Sequence, residues 1–466
     1  MQSKGEIAKK CIAILIFCAL LAFVLCRVYR VLSWKDTTGD YLSSTSQLYH
    51  TPEHTVDVVF MGSSHCYCGV YPAVLWRDTG IAAFDMSVSG QDRASTVHML
   101  TETLKTQSPK VVMIDAYGLL FDRNEIEGNV YRNMLSMKTS KNSVELVKEY
   151  VEKEDQLDYL LRWPIVHTRF WELEKYDFIQ YEPSIYGRGA LFSWHESTES
   201  AQGEWNVDQV GELSKENQEW LDRLIKASKE NGFDLAFFVI PFKITREEQM
   251  KINAANAYLA DRGIDLLDLN PLFSELDLDP KKDFMDNKHC NANGAEKVTH
   301  YLQEYLRSHY ELADHRGDDL YSHWDQDLEW YEHEKLKQDL TVAEDPEERL
   351  RLLFGQSDLV TVISVEGASE EIPVLKELGL SEAEIAAGGK WILRGESLTK
   401  IMDNDPEGQA YTEDLSKTDA LRVRYTKERD AFNIQFNYNA CCDPRYPVCV
   451  VCYDGVLKDL LAIIHF

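Results

Sequence analysis

A chain of 466 residues, 44% hydrophobic and 27% charged, is long enough for about three domains and apolar enough to bury a core, which excludes wholesale disorder. Its 49 Lys and Arg face 78 Asp and Glu, and a net charge of −29 argues against a nucleic-acid partner. The charge is uneven: residues 1–35 carry Lys4, Lys9, Lys10, Arg27, Arg30 and Lys35 against Glu6 alone, net +5, leaving −34 for the rest.

Cys11 to Cys26 is an uninterrupted run of sixteen uncharged residues. At ~1.5 Å per residue it spans about 24 Å, short of the ~30 Å hydrocarbon core. Snorkelling by Lys10 and Arg27, or extension through Val28 to Leu32, closes the gap, so residues 11–32 are the expected membrane contact. A cleaved signal peptide needs a small-x-small site after the run, where Arg27, Tyr29 and Arg30 stand instead. Residues 1–35 therefore read as a cytoplasmic tip and an uncleaved single-pass anchor. Lys4, Lys9 and Lys10 favour a cytoplasmic N-terminus, which puts the body of the protein outside.

Three of the ten cysteines (Cys11, Cys18, Cys26) lie in that run, and the other seven, an odd number, leave at least one free thiol in an exported domain. Cys449-x-x-Cys452 has no second cysteine pair or His pair beside it. It reads as small buried hydrophobes or one local disulfide.

Past a polar stretch, strand and helix patterns alternate over 36–310. Val56–Met61 predicts a buried strand ending at Gly62, and Ala82–Met86 a short second strand ending in a Ser-Gly turn. Val97, Leu100 and Leu104 share a helical face before the strand Val111–Ala116. Trp220, Leu221, Leu224 and Ile225 mark a helix stopped at Asn231-Gly232, before the strand Leu235–Ile240. A helix over about 246–262 leads to the strand Ile264–Leu269, and a last helix starts near Asn293. Five apolar strands separated by helices predict an α/β fold with a mostly parallel sheet in three layers. Residues 118–215 form an insertion overhanging the carboxyl ends of the strands, where such sheets bind ligands. Residues 311–350 hold fourteen acidic and four basic side chains and read as an acidic helical connector. Short strand patterns then predict a small β-rich domain over 351–466.

The first strand ends in Gly62-Ser63-Ser64-His65, and a serine on a sharp turn after a buried strand exposes its Oγ at the sheet edge. After the fifth strand comes Asp286-Asn-Lys-His289; of the thirteen histidines only His289 has an Asp three residues before it. That spacing lets the carboxylate fix the imidazole tautomer, and an imidazole is suited to taking a serine proton near neutral pH. His65, Cys66, Cys68, His289 and Cys290 also raise a zinc reading, which competes with the serine for His289. No metal or cofactor is called for.

Three blocks together resemble the SGNH/GDSL hydrolase superfamily, and within it the membrane-anchored branch of the teichoic-acid D-alanylation protein DltD and the alginate-acetylation proteins. Phe60-Met-Gly-Ser-Ser-His65 looks like the first block, with Ser64 at the nucleophile position and Ser63 where Gly-Asp-Ser has Asp. Ser87-Val-Ser-Gly90 matches the second, with Asp85 where that block often has Asn, and Phe284-Met-Asp-Asn-Lys-His-Cys-Asn-Ala-Asn-Gly-Ala295 the last. The resemblance implies a triad of Ser64, His289 and Asp286, and an oxyanion hole from the N–H groups of Ser64 and Gly90. The Gly-x-Asn-Asp block, whose Asn gives a third oxyanion donor, is not recognisable; Asp115-Ala-Tyr-Gly-Leu stands there, making Tyr117 an accessory candidate. Trp163-Pro-Ile-Val-His-Thr-Arg-Phe-Trp171 resembles a segment of the anchored branch, and His167 or Arg169 in it are candidates for the missing donor.

The expected function is an extracytoplasmic, membrane-anchored serine esterase or O-acyltransferase acting on acyl groups of a cell-envelope glycan. The resemblance implies a membrane-bound O-acyltransferase of the MBOAT type as partner. The alternative is a catalytically inactive SGNH-like scaffold that binds a glycan or a partner protein.

Overall fold

The structure, a computed structural model, describes residues 4–33, 43–120, 133–134, 136–178, 186–367, 372–404, 410–416, 419–426, 431–436, 439–441 and 446–466. It opens with helix α1 (Lys4–Leu32), of which Lys9–Leu32 is long and apolar enough to cross a membrane; residues 9–28 are exposed and Leu32 at its end is buried. The chain divides into two compact units, residues 1–327 and 328–466. The division falls inside the helix Ser322–Val342, within the acidic stretch expected to be helical.

The first unit is built on five parallel strands: β1 (Val58–Met61), β2 (Ala83–Asp85), β3 (Val111–Asp115), β4 (Asp234–Val239) and β5 (Leu266–Asp268). Their order is β2-β1-β3-β4-β5. Successive strand residues point to opposite faces, yet every residue of β1, β2 and β3 is buried. Both faces of the sheet are therefore covered, which is why these strands read as continuous apolar runs rather than alternating ones. The helices Arg93–Thr103, Lys141–Tyr150 and Lys215–Asn231 pack in series, and Pro72–Thr79 packs on Ala292–His309. The chain leaves β1 towards β2 on one side and returns to β3 on the other. The carboxyl ends of β1 and β3 thus flank the topological switch point, where an open α/β sheet presents its crevice.

The second unit carries two antiparallel sheets. In one, β6 (Leu359–Val365), β7 (Gly389–Arg394), β8 (Ser397–Met402), β13 (Val448–Asp454) and β14 (Asp459–His465) are ordered β14-β13-β6-β7-β8. In the other, β9 (Ala410–Asp414), β10 (Ala420–Thr426), β11 (Ala431–Phe436) and β12 (Asn439–Ala440) are ordered β12-β11-β10-β9. One face of the larger sheet (Ile363, Trp391, Val450, Cys452) packs with Leu350, Val374, Leu375 and Ile385 of short helices. Its opposite face (Val362, Ile392, Cys449, Val451) packs with Leu421, Val423, Ile434 and Phe436 of the smaller sheet. Cys449 and Cys452 accordingly lie on opposite faces of β13. They share neither a disulfide nor a ligand position, and among the described residues no cysteine is in a disulfide.

Candidate active site

β1 delivers the chain to Gly62 at the switch point. A Cβ there would lie 2.7 Å from Cys66 Cβ and 2.8 Å from Asp115 Cβ, so only glycine lets the end of β3 and the following turn close together. Ser63 then caps a single helical turn, Ser64–Tyr67, its Oγ accepting from His65 N at 3.3 Å. Ser64 is the first residue of that turn. Its Oγ is thrown to the sheet's carboxyl edge, 2.9 Å from His289 Nε2.

His289 sits on a loop whose geometry explains the three-residue spacing. One carboxylate oxygen of Asp286 accepts from Lys288 N (2.7 Å) and His289 N (2.8 Å), folding the loop back on itself. The other oxygen accepts from His289 Nδ1 at 2.8 Å. With the ring proton on Nδ1, Nε2 is left as the acceptor facing the Ser64 hydroxyl, the polarity that general-base chemistry needs. Partial burial works against the Asp286 charge. Its bond to His289, the charge of that ring and the two backbone N–H groups outweigh burial and hold the carboxyl at about 2. The loop is closed by the Phe284–Cys290 bridge and by Met285 N donating to His289 O at 3.0 Å. Asn291 then caps the helix Ala292–His309.

The second block forms the turn after β2, where Val88 N donates to Gly62 O at 3.2 Å and Gly90 has φ 66°. Among the described residues no acceptor engages the backbone N–H of Ser64 or Gly90. Asp85 is fully buried. One of its oxygens accepts from Ser87 N at 2.9 Å, and the Cys66 thiol faces the other at 3.4 Å. Burial, outweighing these bonds, pushes Asp85 up to about 7. In its protonated form this carboxyl has the shape and donor–acceptor character of the Asn expected at its position.

At the end of β3, Asp115 offers no donor. Its Oδ2 accepts from His65 Nδ1 at 2.8 Å, both side chains fully buried, and its Oδ1 accepts from Tyr117 N at 3.0 Å. The His65 ring stacks on Tyr117 (centroids 4.5 Å) and meets Phe242 edge-on, while its Nε2 is buried with no partner among the described residues. Burial raises Tyr117, and Lys288 of the Asp286–His289 loop, bonded to its hydroxyl, opposes that. Tyr117 therefore links the β3 end to the histidine loop. The His65–Asp115 pair was not read from sequence; the available signal was that Asp115 ends one strand and His65 closely follows the end of its neighbour.

The other accessory candidates lie elsewhere. Arg169 is buried, its guanidinium donating to Leu32 O and Ser33 O at the end of α1, both at 2.8 Å, and pairing with buried Asp177. The exposed His167 ring engages Pro164 O. Neither is brought to Ser64. The groups weighed for zinc also part company, with His65 turned to Asp115, Cys66 to Asp85 and His289 to Ser64 and Asp286.

The insertion supplies an unanticipated strap. Arg188 O accepts from Asp85 N at 2.8 Å, Leu191 N donates to Tyr67 O at 3.0 Å, Ser193 O accepts from Ala292 N at 2.7 Å, and Ser197 N donates to Phe284 O at 2.8 Å. One segment thus ties together the turn after β2, the Ser64 turn and the histidine loop. It is locked by Arg188, buried against Asp327 and lying over Trp324. Gly189 (φ 91°) is obligatory, since a Cβ would fall 1.8 Å from Asp85 O.

No family model and no curated protein matches the chain.

Proposed function

We propose that this chain belongs to the membrane-anchored branch of the SGNH/GDSL hydrolases and acts as a serine esterase or O-acyltransferase on ester-linked acyl groups of a cell-envelope polysaccharide. The observation that carries this reading is the continuous series Ser64 Oγ–His289 Nε2 and His289 Nδ1–Asp286 at 2.9 and 2.8 Å, at the switch point of a parallel sheet. Ser64 Oγ attacks the ester carbonyl as its proton passes to His289 Nε2. The N–H groups of Ser64 and Gly90 hold the tetrahedral oxyanion, and Asp286 steadies the imidazolium. Collapse expels the alcohol with the proton from His289, leaving acyl-Ser64. A water or sugar hydroxyl, deprotonated by His289, then attacks that ester and frees the serine. Water makes the protein an esterase and a sugar hydroxyl makes it a transferase. Side-chain exposures of 24% for His289 and 49% for Asp286 suit a bulky, polymer-borne ester. On this reading α1 tethers the site on the extracytoplasmic side, beside a membrane-bound O-acyltransferase that supplies acyl groups.

One observation favours the inactive-scaffold reading: Asp115, in the place of the missing asparagine block, is locked to His65 and donates nothing to an oxyanion. A fluorophosphonate probe separates the two. An enzyme is labelled on Ser64 and loses the label in Ser64→Ala; folded wild-type protein that stays unlabelled supports the scaffold.

A further inference from the structure

At its C-terminal end, α1 is clasped by the insertion. The Arg169 guanidinium donates to the terminal carbonyls of Leu32 and Ser33, both at 2.8 Å, where helix carbonyls lack partners of their own. Arg169 is held in turn by Asp177 at 3.1 Å, whose other oxygen accepts from Glu174 N at 2.9 Å. Tyr29, in the last turns of α1, meets the Trp163 ring at 5.6 Å. Around this clasp several large apolar side chains are exposed. Trp171 is 82% exposed and Phe178 67%, the Phe170 ring lies tilted against Trp171 at 4.2 Å, and Leu157 and Leu161 are also exposed. In sequence these side chains flank Arg169, which bonds the helix end.

We infer that residues 157–178 form a foot that sets Trp171, Phe170 and Phe178 into the headgroup region of the bilayer leaflet from which α1 emerges. The inference rests on reading α1 as a membrane span. The 24 residues Lys9–Leu32 extend for about 36 Å at helical rise, so Leu32 and Ser33 stand at a membrane–water boundary, and a segment bonded to their carbonyls stands at the same depth. Aromatic side chains concentrate at that depth because their rings sit well between acyl chains and water. Within 157–178, four acidic side chains (Asp158, Glu172, Glu174, Asp177) nearly balance three basic ones (Arg162, Arg169, Lys175), so the segment offers no basic patch. The foot therefore enters by apolar contact with zwitterionic lipid rather than by attraction to anionic headgroups. A second contact besides α1 fixes the tilt of the first unit on the membrane, which a single helix leaves free.

The test uses the full chain and its Trp171→Phe variant in vesicles of phosphatidylcholine, plain or brominated on the acyl chains. Subtracting the variant's emission isolates Trp171. The foot predicts that this difference emission falls by roughly half or more in brominated vesicles and is untouched by aqueous iodide, as for a ring at interfacial depth. Quenching by iodide but not bromine overturns the foot in favour of an aqueous surface. Quenching by neither overturns it in favour of cover by a second copy or another protein. Alkaline carbonate separates the underlying reading: protein released from vesicles overturns the span and the foot together, whereas retained protein with iodide-accessible Trp171 overturns the foot alone.

Discussion

At the residue scale the decisive feature is the division of labour within Asp286, one oxygen folding the loop and the other holding the imidazole. Asp286→Asn keeps the shape but can present an N–H to Nδ1, which favours the wrong tautomer of His289. Ester turnover is expected to drop by roughly 10²–10⁴ while thermal stability changes little, measured as kcat beside a melting curve. Asp85 makes a different prediction. Its folded value of about 7 lies above the ~3.9 of an unfolded chain. Between these values the unfolded chain has already released a proton that the folded protein keeps, so stability falls as pH rises from about 4 to 7. Asp85→Asn removes that slope. Urea unfolding at pH 5 and pH 8 should show the variant gaining on wild type at pH 8, on the order of a few kcal/mol; equal pH dependence would mean that Asp85 is ionised in the fold.

At the element scale, the parallel strands were legible because burial on both faces makes them unbroken apolar runs. Their ends were less so: β1 begins at Val58 rather than Val56, and β5 covers Leu266–Asp268 rather than Ile264–Leu269. The Asp286–His289 spacing was legible because its bonds are local. The His65–Asp115 pair was not, since it depends on which strands become neighbours. The strap over 188–197 was hidden for another reason: its contacts are backbone bonds, which leave no pattern of side-chain types. Its lock gives a test. Arg188→Met leaves Asp327 buried without its cation and is expected to cost about 3–5 kcal/mol, whereas Arg188→Met with Asp327→Leu recovers most of that loss in thermal unfolding.

At the scale of the whole molecule, the charge makes a prediction about the proposed esterase. With −34 beyond the first 35 residues, an active enzyme is expected to disfavour anionic esters relative to neutral or cationic ones. At low salt a cationic acetate ester should exceed a matched anionic ester in kcat/KM by up to roughly tenfold, with the gap closing as salt is added. The acidic stretch 311–350 was legible as helical, but the unit boundary inside one of its helices was not: Trp324 is buried in the first unit and Leu340 in the second, and one unbroken helix carries both.

The most direct measurement is p-nitrophenyl acetate turnover by the full chain in lipid nanodiscs, beside Ser64→Ala with a matched melting curve. The serine mechanism predicts turnover well above background in wild type and none above background in the variant. Equal rates in the two would contradict it and leave the Ser64–His289–Asp286 series as architecture without catalysis.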